Sequence, residues 1–500
     1  MISIDFLLQG FGYALNPFNL LMAFLGAIFG TLVGVLPGIG PTAGIAILLP
    51  LTSWLNPTPA IIMLSGIYYG AMYGGSTTSI LVNVPGEVSS VVTALDGYQL
   101  AKQGKAGVAL AMAAISSFVG GTLGLIGLTF FAPPLAEAAL IFGPPEYFGL
   151  MCLALSVVVS LAGRRLPKGL ISAGVGLFLG SIGQDPILGN ARFTFGSLKL
   201  LGGIDFVAVV VGLFAVSEVM INAEKVGAVV YQKITRLYPT LQELRQSLGA
   251  MLRSTLTGFF PSLLPGCAPG PISFLAYDIE RRFSRHPEMF GKGAIEGVIA
   301  PEGANNAATS GGFVPMFSLG IPTSSALAVL LSALMIYGLK PGPMLFKERP
   351  DFIWTVIASM YIGNVMLLIL NLPLVGIWAR IIMIPYHYLA PLVLVFCFIG
   401  TFSIRNNLFD VWVAILFGLI GYLMHKLKYP TAPLVLAMIL GPMLEQSVRQ
   451  SLTISGGSVY IFISRPIALG FLILATFAVI LSVWSRLRLK PSNLPQSGTD

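Results

Sequence analysis

The sequence predicts an all-α polytopic membrane protein, with about 11–12 transmembrane helices and two re-entrant hairpins in two inverted repeats. Three observations predict it. Hydrophobic residues make up 55% of the 500 and charged residues only 10%, where a soluble domain carries about a quarter. From Phe6 to Gly86 there is no Asp, Glu, Lys or Arg, a stretch several times the roughly 20 residues that one helical span needs. Finally, a pair of glycine–proline breaks occurs twice inside apolar sequence. The apolar runs are continuous rather than alternating, which disfavours a transmembrane barrel.

The first break, Leu36-Pro37-Gly38-Ile39-Gly40-Pro41, recurs as Leu264-Pro265-Gly266-Cys267-Ala268-Pro269. The second follows a glycine pair in each half: Pro85 lies ten residues after Gly75 of Gly74-Gly75, and Pro322 ten residues after Gly312 of Gly311-Gly312. Such breaks free backbone groups that lipid cannot satisfy, so they must be buried in protein or line a polar cavity. Broken segments at corresponding positions of two halves point to the binding site of a secondary transporter. Close helix packing explains single small residues, but it gives no reason for a duplication in register.

The elements follow in order. The N-terminus, Met1-Ile2-Ser3-Ile4-Asp5, lacks the basic region of a cleavable signal peptide. Segment 19–55 has no positive charge on either flank, so this first hairpin is expected to open to the outer side. Further passes are predicted near 58–95, 107–132, 147–163, 169–183 and 202–221. Basic loops with Lys102 and Lys105, and with Arg164, Arg165 and Lys168, alternate with loops such as 133–146 that lack Lys and Arg.

The polar segment 222–253, with Lys225, Lys233, Arg236, Arg245 and Arg253, reads as a cytoplasmic loop joining a first membrane repeat (1–221) to a second (254–490). Arg281, Arg282, Arg285 and Lys292 follow soon after. Segment 254–277 between these basic flanks therefore enters and leaves from the cytoplasm. At about 1.5 Å per residue its two arms reach only mid-bilayer, with the tip at 265–269. Second-half passes are predicted near 293–339, 352–376, 386–403, 408–424, 430–446 and 466–485. His425, Lys426, Lys428, Arg486, Arg488 and Lys490 then face the cytoplasm. An odd number of crossings separates the hairpins, which makes the repeats inverted. The same count puts Lys340, Lys347 and Arg349 outside, against the positive-inside rule. Residues 491–500 read as a disordered tail.

Chemistry-bearing residues concentrate at the second breaks. Ser76, Thr77, Thr78, Ser79 and Asn83 precede Pro85; Asn305, Asn306, Thr309, Ser310 and Ser318 precede Pro322, with Thr323, Ser324 and Ser325 after it. Hydroxyls and amides donate hydrogen bonds to a carboxylate and offer oxygens to a hard cation such as Na⁺. Interrupted helices add free N–H groups for an anion and free carbonyls for Na⁺. Neither break contains Lys or Arg, so an anionic substrate would be held without a fixed base. The expected substrate set is Gly38, Gly40, Pro41, Ser76, Thr77, Thr78, Asn83, Gly266, Asn305, Asn306, Pro322, Thr323 and Ser324. The expected cation-coupling set is Glu302, Asn306 and Ser318, with backbone carbonyls for Na⁺ and no other metal.

Glu302 reads either as a cap at a helix edge or, at membrane depth, as a proton carrier or cation ligand. Glu137, Glu146 and Asp185 read as loop residues. His286, His387 and His425 have no spacing suited to zinc or catalysis, and Cys152, Cys267 and Cys397 read as small buried hydrophobes. The aromatic and Met residues read as core packing or lipid contacts. No phosphate loop is present and no nucleophile–base set suggests an enzyme. The net charge of +8 falls in short loops, as membrane topology produces, rather than pointing to nucleic acid.

Three stretches carry a family resemblance: Gly34-Val35-Leu36-Pro37-Gly38-Ile39-Gly40-Pro41-Thr42-Ala43-Gly44-Ile45-Ala46, Tyr69-Gly70-Ala71-Met72-Tyr73-Gly74-Gly75-Ser76 and Ala300-Pro301-Glu302-Gly303-Ala304-Asn305-Asn306-Ala307. At these residues the chain resembles the large membrane subunit of the tripartite tricarboxylate transporters, the TctA family, over nearly its whole length. The resemblance implies a multi-pass carrier in a bacterial inner membrane, working with a small TctB-like membrane subunit and a periplasmic TctC-like solute-binding protein. It implies uptake of di- or tricarboxylates, citrate among them, driven by a Na⁺ or H⁺ gradient. A channel for carboxylates and an ion-coupled carrier of another small anion are the alternatives. The carboxylate, the coupling ion and the oligomeric state, a homodimer included, stay open at this point.

Overall fold

The computed structural model describes residues 4–36, 39–52, 54–161, 166–185, 188–224, 237–382 and 386–488. Pro37, Gly38, Arg164, Arg165, residues 225–236 of the connecting loop and the tail after 488 lie outside them.

The first half builds α1 (Ile4–Ala14), α2 (Pro17–Val35), α3 (Gly40–Thr52), α4 (Pro57–Val82), α5 (Val91–Leu100), α6 (Ala106–Ala139), α7 (Pro144–Leu161) and α8 (Leu166–Gly180). A short hairpin of β1 (Gly183–Gln184) and β2 (Ala191–Arg192) precedes α9 (Phe206–Val210) and α10 (Ser217–Ala223). Then come α11 (Leu241–Ser262), α12 (Pro269–Phe283), α13 (Glu296–Leu319), α14 (Ser325–Ile336), α15 (Pro343–Glu348), α16 (Pro350–Asn371) and α17 (Val375–Ile381). The chain ends with α18 (Tyr386–Arg405), α19 (Leu408–Lys426), α20 (Ala432–Ile454), α21 (Ile461–Ser464) and α22 (Pro466–Arg488).

Among the described residues, five helical segments are long and apolar enough to cross a membrane: 17–35, 88–139, 206–223, 350–371 and 408–426. Six shorter apolar helices accompany them. The protein is a multi-pass α-helical membrane protein. α4 and α13 are absent from the apolar set although they are long, because Ser, Thr, Asn and Gly dilute their hydropathy. They lie at the centre instead. Every residue of α13 from Gly297 to Leu319 is buried, as is nearly all of α4. Lipid never meets their polar groups, which is what allows them there.

The duplication in the sequence has a structural counterpart in two helix pairs. α2 packs on α4 through Gly26, Gly30 and Gly34 facing Gly66, Gly70 and Gly74; α11 packs on α13 through Ser254, Gly258 and Ser262 facing Gly303, Ala304 and Gly311. Counted from each first break, Gly26, Gly30 and Gly34 fall at the same registers as Ser254, Gly258 and Ser262. A Cβ on Gly30 would sit 2.5 Å from the carbonyl oxygen of Ile67, and one on Gly258 2.3 Å from that of the matching Ala304. Small residues at four-residue spacing let two backbones touch, the usual basis of helix association where lipid removes the hydrophobic drive.

After α11 the chain turns back at 264–269. α11 and α12 form a hairpin bridged by a two-pronged ion pair, Arg253 Nε and Nη2 to the Glu280 carboxylate at 2.9 and 2.6 Å. α11 begins at Leu241, with Thr240 and Glu243 forming a reciprocal cap, so the helical second half starts inside the polar segment read as a loop. Glu137 lies in the last turn of α6 and Glu146 in the first turn of α7, where it accepts from Gly143 N at 2.9 Å. Both cap or border helices rather than sit in loops. Asp185 does lie in a loop, beside the β1–β2 hairpin, and binds Arg449 of α20 at 2.8 Å. Near the connecting loop, hydrogen bonds from Lys426 and then Tyr422 hold the exposed Glu224 carboxyl below its usual range, tying the end of α10 to α19.

Candidate functional site

The glycine pairs do not mark the second breaks. α4 runs unbroken through Gly74-Gly75 and ends at Asn83, in the left-handed conformation (φ 57°); α13 runs through Gly311-Gly312 and ends at Gly320 (φ 73°). A left-handed residue followed two positions later by proline is a strong helix stop. Two residues beyond each proline a side chain caps the next helical segment: Glu87 accepts from Ser89 N at 2.7 Å, and Ser324 from Leu327 N at 3.3 Å. The glycine pairs serve this turn. A Cβ on Gly75 would meet Glu87 Cγ at 2.8 Å, and one on Gly312 would meet Thr323 Oγ1 at 2.6 Å. Each break loop thus folds back against its own helix.

The two halves exchange contacts here. α3 packs on α14, and α12 packs on the turn Val88–Ser90 and on α5. Tyr277 OH of α12 donates to Asp96 Oδ2 of α5 at 2.8 Å. Asp96 Oδ1 accepts from the backbone N–H groups of Gly291, Gly293 and Ala294 at 2.8–2.9 Å. This fully buried carboxylate therefore fixes the entry to α13 from the other half of the chain.

Three turns of α13 carry the chemistry. Glu302 is completely buried. Its Oε2 accepts from Ser76 Oγ of α4 at 2.5 Å and from Ser117 Oγ of α6 at 3.3 Å; its Oε1 accepts from Thr93 of α5. Asn306 Nδ2 donates to the Glu302 carbonyl at 3.2 Å, while Asn306 Oδ1 and both amide atoms of Asn305 have no partner. Thr309 Oγ1 donates to the Asn305 carbonyl at 2.9 Å. Facing them on α4 are three tyrosines. Tyr68 OH lies 3.3 Å from Ser324 Oγ and close to Thr309; Tyr69 OH donates to Ser310 Oγ at 2.6 Å; Tyr73 OH donates to Asn364 Oδ1 of α16 at 2.6 Å. Unpaired amides in a dry interior each carry a free-energy cost, so Asn305 is polar there for a reason that the protein's own contacts do not supply.

Of the residues expected from sequence, Ser76, Glu302, Asn305, Asn306 and Ser324 come together in this buried band, and Thr77 borders it. Thr323 and Pro322 line the second break, also buried. Thr78 Oγ1 turns to the Gly75 carbonyl of its own helix at 3.1 Å. Asn83 is exposed and serves as the helix stop. Ser318 lies more than four turns along α13 from Glu302, about 24 Å, and bonds the Val314 carbonyl of its own helix at 2.6 Å; it does not join a cation set with Glu302. Gly266 (φ 85°) presses on the backbone of Val158 in α7, Gly40 (φ 63°) opens α3, and Pro41 follows it partly buried. Gly38 lies outside the described residues.

The two broken helices and the buried Glu302 fall inside a match to the family description "Tripartite tricarboxylate transporter TctA family", which spans residues 20–436. The chain belongs to the TctA family. As a TctA protein it is a transporter membrane subunit; TctA is a transporter family, not an enzyme family. Two relatives come from Agrobacterium vitis. An "Uncharacterized 52.8 kDa protein in TAR-I ttuC' 3'region" is 46% identical over 98% of both chains. An "Uncharacterized protein in TAR-II ttuC' 3'region" is 42% identical over 47% of this chain and 96% of its own length. No solved structure matches.

Sequence reading of this TctA protein missed Thr93, Ser117, Asn364, Asn371 and the tyrosine hydroxyls, which were taken as packing. Tyr69, Tyr73 and Ser76 recur at i, i+4 and i+7, one face of a helix, and that spacing was the available signal.

Proposed function

We propose that this chain is the large membrane subunit of a secondary transporter for di- or tricarboxylates in a bacterial inner membrane. Substrate arrives from a TctC-like periplasmic binding protein, and a TctB-like small subunit completes the complex. Uptake is symport with Na⁺ or H⁺, and Glu302 is the coupling-ion site. The α2–α3 and α11–α12 hairpins are read as re-entrant, in inverted halves.

One observation carries this reading: a fully buried polar band between α4 and α13, with unpaired Asn305 amide atoms and no Lys or Arg hydrogen-bonded within it among the described residues. The amide of Asn305, the Tyr68 and Ser324 hydroxyls and the N-terminal N–H groups of α14 would hold a carboxylate. A site made of neutral donors binds an anion and still releases it. The carboxylate charge is then balanced by a co-transported cation at Glu302 rather than by a fixed base.

The test is uptake by proteoliposomes containing the three subunits, across a panel of labelled mono-, di- and tricarboxylates with and without ion gradients. Saturable accumulation of a di- or tricarboxylate that collapses with the gradient is expected. Accumulation of none of the panel would remove the carboxylate reading.

A further inference from the structure

We infer that Asn364 of α16 is a positioning residue for the coupling site, setting α4 against α6 so that a hydroxyl from each helix meets Glu302. This rests on the carrier reading above, with Glu302 as the coupling-ion site, and holds for either ion. Asn364 lies in an apolar helix and is 1% exposed. Its whole amide is used. Oδ1 accepts from Tyr73 OH of α4 at 2.6 Å, while Nδ2 donates to the Phe118 carbonyl at 3.0 Å and to Thr122 Oγ1 at 2.9 Å, both of α6. Gly121 makes room for it, since a Cβ there would stand 2.9 Å from Asn364 Oδ1.

The partners of this amide are the neighbours of the Glu302 donors. Ser117 directly precedes Phe118 on α6, and Ser76 follows Tyr73 by three residues, on the same face of α4. Both hydroxyls reach one oxygen, Glu302 Oε2, Ser76 at 2.5 Å and Ser117 at 3.3 Å. Two helices must therefore hold their register for a single atom. At this level they are tied through Asn364, and also through Ser310 of α13, which accepts from Tyr69 at 2.6 Å and donates to the Gly121 carbonyl at 3.2 Å. The Ser117 bond is the vulnerable one. It is longer than the usual hydroxyl–oxygen bond of about 2.5–3.0 Å, so a small displacement of α6 decides whether it forms.

α16 is built as the brace for this arrangement. Tyr361, Asn364 and Asn371 share one face of the helix. Tyr361 OH lies 3.0 Å from Thr129 Oγ1 of α6, and Asn371 Nδ2 donates to Thr31 Oγ1 of α2 at 3.4 Å. Amide bonds between membrane helices also serve simple association. Asn364 differs in that its partners adjoin both donors to one carboxylate oxygen, so its loss reaches the ion site as well as the packing.

The experiment measures uptake of labelled carboxylate by proteoliposomes of the whole complex. Na⁺ is varied at fixed pH, then pH in Na⁺-free medium, and the ion that drives the parent is used for the variants. Asn364→Ala should displace the half-saturating ion concentration about three- to tenfold, the worth of one hydrogen bond, with the substrate KM at saturating ion unchanged. Ser117→Ala should displace it similarly, and the double variant no further than either, because both act through one contact. Tyr73→Phe cuts the α4 side of the tie by removing one oxygen. It should displace the ion concentration in the same direction, which keeps the test where Asn364→Ala fails to reach the membrane. A half-saturating ion concentration unmoved in Tyr73→Phe, displacements that add in the double variant, or an equal change in substrate KM would overturn the inference and leave the carrier reading intact. A parent complex that moves no labelled carboxylate, or moves it without response to either ion, would overturn the reading on which the inference rests.

Discussion

Replacing Gly86 by alanine is the most demanding small change that the fold predicts. Gly86 lies in the first-half break between Pro85 and Glu87. A Cβ there would stand 1.9 Å from the Gly34 carbonyl oxygen of α2, 2.7 Å from Gly75 Cα and 2.9 Å from Thr78 Oγ1. The first two of these are backbone, so no rotamer relieves them. To reach 3.0 Å, below which Cβ contacts essentially never occur, the loop or α2 must move by about 1.1 Å. Overpacking of this kind costs about 1–3 kcal/mol. It falls on the loop that carries the Glu87 cap and leads into Thr93, and so on the contact to Glu302. Applied to the competent state, that cost lowers uptake about five- to 150-fold. Gly363→Ala on α16 is the control, because its Cβ would meet nothing within 4 Å and alanine favours the helix by about 1 kcal/mol. Uptake of labelled substrate, normalised to membrane protein level, reads both. Parent-like uptake by Gly86→Ala would refute the close-packed break.

Other outcomes follow from single contacts. Asn305→Leu should leave the melting temperature in detergent unchanged or raised, since the unpaired amide costs about 1–3 kcal/mol, while uptake affinity falls at least tenfold; falling stability with parent-like uptake would place Asn305 in the packing alone. Asp96→Ala leaves three backbone N–H groups without their acceptor, that of buried Ala294 at a cost of about 1–3 kcal/mol, and should lower the melting temperature more than Asp96→Asn, which keeps one acceptor oxygen. Gly266→Val combines a left-handed φ of 85° with a Cβ 2.9 Å from Val158 N, and should abolish uptake even where protein level in the membrane is kept. Cysteines at Arg245 and Arg285 should both be labelled from the cytoplasm if α11–α12 is re-entrant; periplasmic labelling of one makes it a crossing.

Much of this organisation was legible in the sequence because lipid leaves few solutions for a broken backbone. Prolines Pro85 and Pro322 sit where helices end, and the hydroxyl-rich stretches before them form the buried centre. Neither Asn83 nor Gly320, where α4 and α13 stop, was read as a helix stop. Gly74-Gly75 and Gly311-Gly312 looked like helix breakers, but glycine in a buried helix also allows close approach, and here the returning loop and the neighbouring helix occupy that space. The tyrosines of α4 were illegible for a different reason: an aromatic residue in apolar sequence gives no sign of whether its hydroxyl has a partner. Asp96 and Thr93 carried no local pattern at all, since their partners lie about 200 residues away in the chain.

Counterflow tests the central claim most directly. Proteoliposomes of the complex are loaded with unlabelled di- or tricarboxylate, diluted into trace labelled substrate without any ion gradient, and sampled over time. A carrier that alternates around the α4–α13 band should show a transient overshoot of label inside, lost in Asn305→Leu. Label that merely equilibrates without overshoot, or an overshoot untouched by Asn305→Leu, would contradict the account.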